Sequence, residues 1–150
     1  MRFLGLLLPL LVGTLLPSCR TFAYQADFEK AVVAAPAVPV DPTGPWKGSW
    51  KSNMNDHSGP LWCLVSPSPD QADSYDFRYH AGWGKFEFGD FTHTIPGALT
   101  PDKALAITGK MELPGFVGTY SVDGAATKVT FKAKYKSDHG DHGTMTLKRP

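Results

Sequence analysis

Two Asp-His-Gly units stand next to each other near the end of the chain, in the stretch SDHGDHG at residues 137–143. A third Asp-His pair, Asp56-His57, lies in the polar segment NDHSG. Imidazole and carboxylate groups are ligands that zinc and other borderline divalent ions accept. If the fold brings the two segments together, His57, His139 and His142 form a candidate metal site.

The same residues are also typical of ordinary turns. Aspartate side chains close Asx-type turns, and glycine accepts the positive φ that a tight turn needs. His-x-x-His in a loop does not specify a metal site as paired C-x-x-C units would. A hydrolase is not indicated either, because no nucleophile elbow surrounds the nearby Ser58. We therefore predict no catalytic residue and no cofactor, and the metal site remains an alternative.

Strict two-residue alternation of apolar and polar residues begins at Trp46 and predicts half-buried strands. About eight such segments, joined mostly by short turns, predict an all-β, eight-stranded antiparallel up-and-down barrel over residues 46–150. A two-sheet sandwich is the alternative. In the fourth segment the alternation slips at Gly89-Asp90, which indicates a β-bulge. The lysine row of the segment ATKVTFKAKYK indicates a solvated outer face.

Barrel topology places the polar loops. In an up-and-down barrel the loops alternate between the two ends, and closure pairs the last strand with the first. The loops at residues 52–60 and 137–143 follow strands one and seven, so both are expected at the same end and side by side. This is the arrangement that a metal site at His57, His139 and His142 requires.

The inward faces of the predicted strands are rich in aromatic residues. An eight-stranded barrel is just wide enough to be filled by side chains or to hold one small ligand. Buried tyrosine hydroxyls need polar partners. Tyr75, Tyr79, Tyr120 and Tyr135 are therefore the candidate ligand-binding residues, and a fully filled core is the alternative.

The first 18 residues differ from everything that follows. Arg2, an apolar run and Leu16-Pro17-Ser18 have the order of a secretory signal peptide. The ending at Cys19 resembles the lipobox of bacterial lipoproteins, and this resemblance implies that Cys19 is acylated and becomes the mature N-terminus. Ordinary secretion, or a disulfide between Cys19 and Cys63, is the alternative.

Residues 19–45 contain four prolines among small residues, apart from one or two possible helical turns within 25–34. This composition favours an extended chain. We predict a linker that holds the barrel away from a membrane.

The segment Gly48-Ser49-Trp50 resembles the G-x-W motif that opens the first strand of lipocalins and their barrel relatives. The resemblance implies that Trp50 plugs one end of the barrel and that an arginine near the last strand, here Arg149, packs across its ring. It supports the barrel and carries no ligand with it.

The charge balance excludes one class of partner. The chain has 15 Lys+Arg and 14 Asp+Glu, and removal of Arg2 with the signal leaves 14 of each. A neutral protein lacks the basic field that nucleic acid binding needs. We predict a monomeric, lipid-anchored binding protein outside the cytoplasm for a small apolar or envelope-derived ligand. A structural or interaction lipoprotein with a filled core is the alternative.

Overall fold

The computed structural model describes residues 19–84, 86–113 and 118–150. The predicted signal peptide (residues 1–18) lies outside the described residues, as does Pro114-Gly115, where the sequence predicts a short turn between two strands. The described chain forms one helix, α1 (Cys19–Ala34), followed by eight strands. These are β1 (Gly44–Ser52), β2 (Ser58–Pro67), β3 (Ser74–Trp83), β4 (Phe86–Pro96), β5 (Leu105–Leu113), β6 (Gly118–Ala126), β7 (Phe131–Ser137) and β8 (His142–Lys148).

The strands form one antiparallel sheet in the order β4-β3-β2-β1-β8-β7-β6-β5. The first strand pairs with the last, with Lys47 opposite Lys148 and Ser52 opposite Gly143. The sheet therefore curls into a nearly closed barrel, and the predicted all-β up-and-down barrel is confirmed. The sheet ends at β4 and β5, so these two strands meet along a seam without a hydrogen-bonded ladder.

His93 on β4 fills part of this seam. Its side chain is buried, with 5% of its surface exposed, and its ring is hydrogen-bonded to the backbone of Lys110 on β5. A Cβ atom at Gly109 would lie 2.9 Å from His93 Nε2, so the glycine provides the space that the imidazole occupies. Burial lowers the pKa of His93, while the bond to Lys110 acts in the opposite direction.

The β-bulge predicted at Gly89-Asp90 is confirmed. Tyr79 pairs with Phe91 and Ala81 with Phe88, so two residues of β4 face one residue of β3. The extra residue brings the Asp90 carboxylate to the outer face of the barrel, where it accepts a hydrogen bond of 3.0 Å from Arg78.

Arg149 and Trp46 close one end of the barrel, which we term the lower end. The Arg149 guanidinium lies 3.9 Å above the Trp46 ring, and it donates hydrogen bonds to the carbonyls of Asp41, Thr43, Pro45 and Lys128. The predicted contact between Arg149 and Trp50 is therefore wrong.

The strand register explains the difference. Lys47 faces Lys148, so Arg149 reaches Trp46, whereas Trp50, four residues further along β1, faces Met145. The sequence Gly44-Pro45-Trp46 repeats the G-x-W spacing four residues earlier and supplies the tryptophan that Arg149 covers.

The expected extended linker is also corrected over its first part. Residues 19–34 form α1, and Tyr24 and Phe28 bury almost their whole surface against the outside of the barrel. The Tyr24 ring stacks on His80 with centroids 5.1 Å apart, and Asp27 forms an ion pair of 2.6 Å with Arg78. Apolar residues spaced one helical turn apart thus hold the helix on the barrel.

We predict that Arg149→Ala lowers the free energy of unfolding by about 2–4 kcal/mol, because four charge-assisted hydrogen bonds and a cation–π contact are lost together. Denaturant unfolding measures the change. The exposed neighbour Lys148→Ala is the control and should change stability by only a few tenths of a kcal/mol. Equal stability of the two variants would contradict the role given to Arg149.

We predict that His93 makes the fold less stable in acid. Its lowered pKa means that the folded state favours the neutral ring, so this contribution is present above the unfolded pKa of about 6.5 and is lost as the pH falls through the folded value. His93→Gln should lose less stability than the wild type between about pH 7 and about pH 5. The other four histidines are common to both proteins, so a parallel pH profile would count against this assignment.

Candidate ligand cavity

A cavity of about 490 Å³ occupies the upper half of the barrel. It opens at the end where the loops after β1, β3 and β7 meet, which we term the mouth. The cavity is lined by Trp50, Ser52, Asn55, His57, Leu61, Ala81, Trp83, Glu87, Phe91, Met111, Leu113, Tyr120, Tyr135, Asp141 and Met145.

The loops come together at the mouth as barrel topology predicts. The Asn53 amide donates to the His142 carbonyl across 2.8 Å, and the Ser52 hydroxyl donates to Asp141 Oδ1 across 2.6 Å. The first and seventh loops are therefore fastened side by side. Because β1 and β8 are paired below them, both loops are held at a fixed place on the rim.

The cavity exists because the two halves of the barrel are filled differently. In the lower half, Phe131 packs against Trp46, Phe77 and Tyr79 with ring centroids 5.8–6.3 Å apart. In the upper half, the smaller or unbranched side chains of Leu61, Ala81, Met111 and Met145 stand among larger rings. A space bounded by both kinds of side chain remains above the rings of the lower half.

Trp50 forms one wall of the cavity. Its indole N–H donates to the Gly82 carbonyl across 3.0 Å. A Cβ atom at Gly59 would overlap that carbonyl and would lie 2.9 Å from the indole nitrogen, so only glycine leaves room for this bond. Trp50 therefore fixes the end of β3 to β1 and presents its ring to the cavity.

The polar groups of the cavity are gathered near the mouth. Ser52 is almost fully buried, and its hydroxyl accepts a bond from the Met54 amide while donating to Asp141. Burial and the nearby Asp141 carboxylate raise the pKa of Tyr135 to about 12. The same two causes, in the same order, raise the pKa of Tyr120. Asp141 is thus the negative charge that both tyrosines face.

An aromatic pair also lines the mouth. The rings of His57 and Trp83 lie 4.7 Å apart at an angle of 33°. Trp83 leaves 39% of its surface exposed. His57, Trp83 and Asp141 all line the cavity.

Two of the four candidate tyrosines lie at the cavity. Tyr120 and Tyr135 line it. Tyr79 is fully buried, and its hydroxyl has no hydrogen-bond partner within the part of the chain that is described. Tyr75 pairs with Pro67 and Ile95 at the other end of the barrel, away from the mouth. Alternation alone places all four inward but does not give their height along the barrel.

The three predicted metal ligands do not meet. His57 stacks on Trp83, His139 lies 3.6 Å from its neighbour Asp138, and the His142 ring contacts the Gly140 carbonyl. Among residues 19–84, 86–113 and 118–150, no group of three His, Cys, Asp or Glu side chains has the arrangement of a metal site. The interpretation of SDHGDHG as a turn agrees with this geometry, since Gly140 has a φ of 92°.

The alternative disulfide between Cys19 and Cys63 is not formed, because Cys63 is a free thiol on the inner face of β2 with no exposed surface.

The candidate residues chosen from the sequence do not include the cavity wall contributed by β5. Ile107, Gly109, Met111 and Leu113 alternate with polar residues, and this pattern was the available signal.

We predict that Tyr135→Phe makes the fold more resistant to alkali. The pKa of Tyr135 is raised above the unfolded value near 10, so its contribution is complete below about pH 10 and is lost as the pH rises towards 12. The wild type should therefore lose more stability than Tyr135→Phe between about pH 9 and about pH 11, measured by urea unfolding. Tyr75→Phe, at the other end of the barrel, is the control, and a profile for Tyr135→Phe identical to it would contradict the prediction.

The chain matches no protein-family model, no curated protein and no solved structure. The resemblances to lipocalins and to bacterial lipoproteins accordingly stay predictions from the sequence. In the described ranges, no helix has the length and apolar character needed to span a membrane.

Proposed function

We propose that this protein binds a small, mostly apolar molecule in the upper half of its barrel. The observation that carries the proposal is the cavity of about 490 Å³ with one open end. This volume lies within the range of about 300–1,000 Å³ that small-molecule sites occupy. The wall is mainly aliphatic and aromatic, and a few polar groups converge at one end, which is the usual composition of such sites.

The distribution of polar atoms indicates how the ligand is oriented. Its apolar body lies deep, among Leu61, Ala81, Phe91 and Met111, because a polar group there would lose its hydrogen bonds to water. Its polar group lies at the mouth, near Asp141 and Tyr120.

The negative charge at the mouth restricts the charge that the ligand's polar group can carry. The described lining residues include Asp141 and Glu87 but no lysine or arginine. A carboxylate ligand would be repelled by Asp141, and the Ser52 hydroxyl is already engaged with that residue. The arrangement favours a neutral or positively charged polar group over an anionic one.

We further propose that the protein acts outside the cytoplasm and is attached to a membrane through a lipid on Cys19. The signal-like residues 1–18 and the lipobox-like Leu16-Pro17-Ser18-Cys19 support this location. Helix α1 begins at Cys19 and is fastened to the barrel by Tyr24. An acylated Cys19 would then hold the barrel close to the membrane.

A neutral fluorescent probe, N-phenylnaphthylamine, tests the cavity directly. We expect its fluorescence to rise on binding, and Ala81→Phe to weaken binding by about tenfold or more, because the added ring fills the space that the probe needs. Met145→Phe is a second filling variant if Ala81→Phe folds poorly. Ala125→Phe is the matched control, since Ala125 is exposed on the outside of β6.

Two results would count against the proposal. One is probe binding that is equal in the wild type, in both filling variants and in the control. The other is an absence of binding by a folded wild type, which would favour the alternative of a structural lipoprotein that presents its rim to a partner.

A further inference from the structure

The outward-facing residues of three adjacent strands include several lysines and no acidic residue. The strands β1, β8 and β7 lie side by side in the sheet. Their exposed outward residues are Lys47, Ser49 and Lys51 on β1, His142, Thr144, Thr146 and Lys148 on β8, and Lys132, Lys134 and Lys136 on β7. We name these ten residues the lysine face; they include six lysines, one histidine and no carboxylate.

The register places like charges next to one another. Lys47 lies directly opposite Lys148. Like charges opposite each other in a sheet are destabilising. The chain has 15 basic and 14 acidic residues. None of the acidic residues is among the ten residues of this face.

The acidic residues near the lysine face lie at its edges. Lys51 forms an ion pair of 3.2 Å with Asp56 in the loop after β1. Asp123 faces Lys134 from β6, but its carboxylate accepts a hydrogen bond from Thr108. Within the described ranges, the other five lysines of the face form no ion pair, so their charges are available to a partner.

We propose that the lysine face docks on the anionic phospholipid headgroups of a membrane surface. Clusters of four to eight lysines are the usual footprint of such binding, and each lysine near the surface contributes roughly the same attraction. The lysine face is also free of aromatic side chains, which single-stranded nucleic acid needs for base stacking. Between the lysines stand threonine and serine hydroxyls, which donate hydrogen bonds to phosphate oxygens.

This docking is independent of the cavity, but it places the cavity relative to the membrane. Lys51 and Lys136 lie at the ends of β1 and β7 nearest the mouth. A barrel that lies on this face therefore has its mouth beside the headgroups, with the exposed side chains of Met54 and Trp83 at the same end.

Vesicle co-sedimentation tests the proposal with the full chain. Vesicles of neutral phosphatidylcholine are compared with vesicles containing about one third phosphatidylglycerol, at low and high salt. Residues 1–18 are common to all variants, and the salt dependence separates electrostatic binding from any apolar attachment that they add. We expect stronger binding to the anionic vesicles, and a loss of that difference at high salt.

Two triple variants with the same net charge locate the contact. Lys132→Gln, Lys134→Gln and Lys136→Gln together should weaken binding to anionic vesicles by at least about tenfold. The matched control combines Lys30→Gln, Lys110→Gln and Lys128→Gln, which lie outside the lysine face, and should change binding by less than about twofold. Lys132→Arg, Lys134→Arg and Lys136→Arg together should retain wild-type binding.

The proposal is overturned if both triple variants bind equally weakly, because the effect would then be one of net charge alone. It is also overturned if the wild type binds both vesicle types equally, or if it binds a soluble polyanion such as single-stranded DNA in preference to anionic vesicles. Thermal unfolding of each variant confirms that the barrel is intact, as expected for exposed side chains.

Discussion

The Arg149 guanidinium connects parts of the chain that are more than 100 residues apart in sequence. It covers the Trp46 ring and satisfies carbonyl groups of the segment that leads into β1, as well as the Lys128 carbonyl before β7. Without it, four carbonyls in two segments of the chain would lose this hydrogen-bond donor around an aromatic ring at the lower end. Because Arg149 seals this end, the barrel can keep an opening at the other end.

The cavity depends on this division of the barrel into a filled half and an open half. Rings around Phe131 fill the lower half and provide most of the close packing. Buried packing of this kind stabilises the fold. The upper half then tolerates a space that would otherwise cost stability, since a cavity removes contacts from the side chains around it.

The sequence was sufficient for the fold because alternation with a period of two determines which side chains face inward. It also located the bulge at Gly89-Asp90 and the meeting of the first and seventh loops. It was not sufficient for the height of a residue along the barrel axis, which depends on the register between strands. For this reason the G-x-W resemblance points to Trp50, whereas Arg149 covers Trp46, and alternation groups Tyr75 with Tyr135.

Two further features depended on contacts that alternation does not describe. The helix over residues 19–34 contains few strong periodic signals, and its position is fixed by Tyr24 and Phe28 meeting the outer face of β3. Alternation alone predicts only a solvated outer face for the lysines of β7. They become part of a larger positive face because β8 adds Lys148 and pairs with β1, which adds Lys47 and Lys51. No single strand carries that information.

The seam between β4 and β5 has a consequence for the connectivity of the chain. Among the eight described strands, every hydrogen-bonded pair except β1–β8 joins strands that follow one another in the chain. Within this set, β4 and β5 follow one another without being paired. A circularly permuted chain that begins at β5 and joins β8 to β1 through α1 would therefore run through the whole sheet as a single meander, in which each strand pairs with its successor. Its new ends would lie in the loop at residues 97–104. The loop joins β4 to β5, and opening it would break no hydrogen-bonded ladder between these two strands.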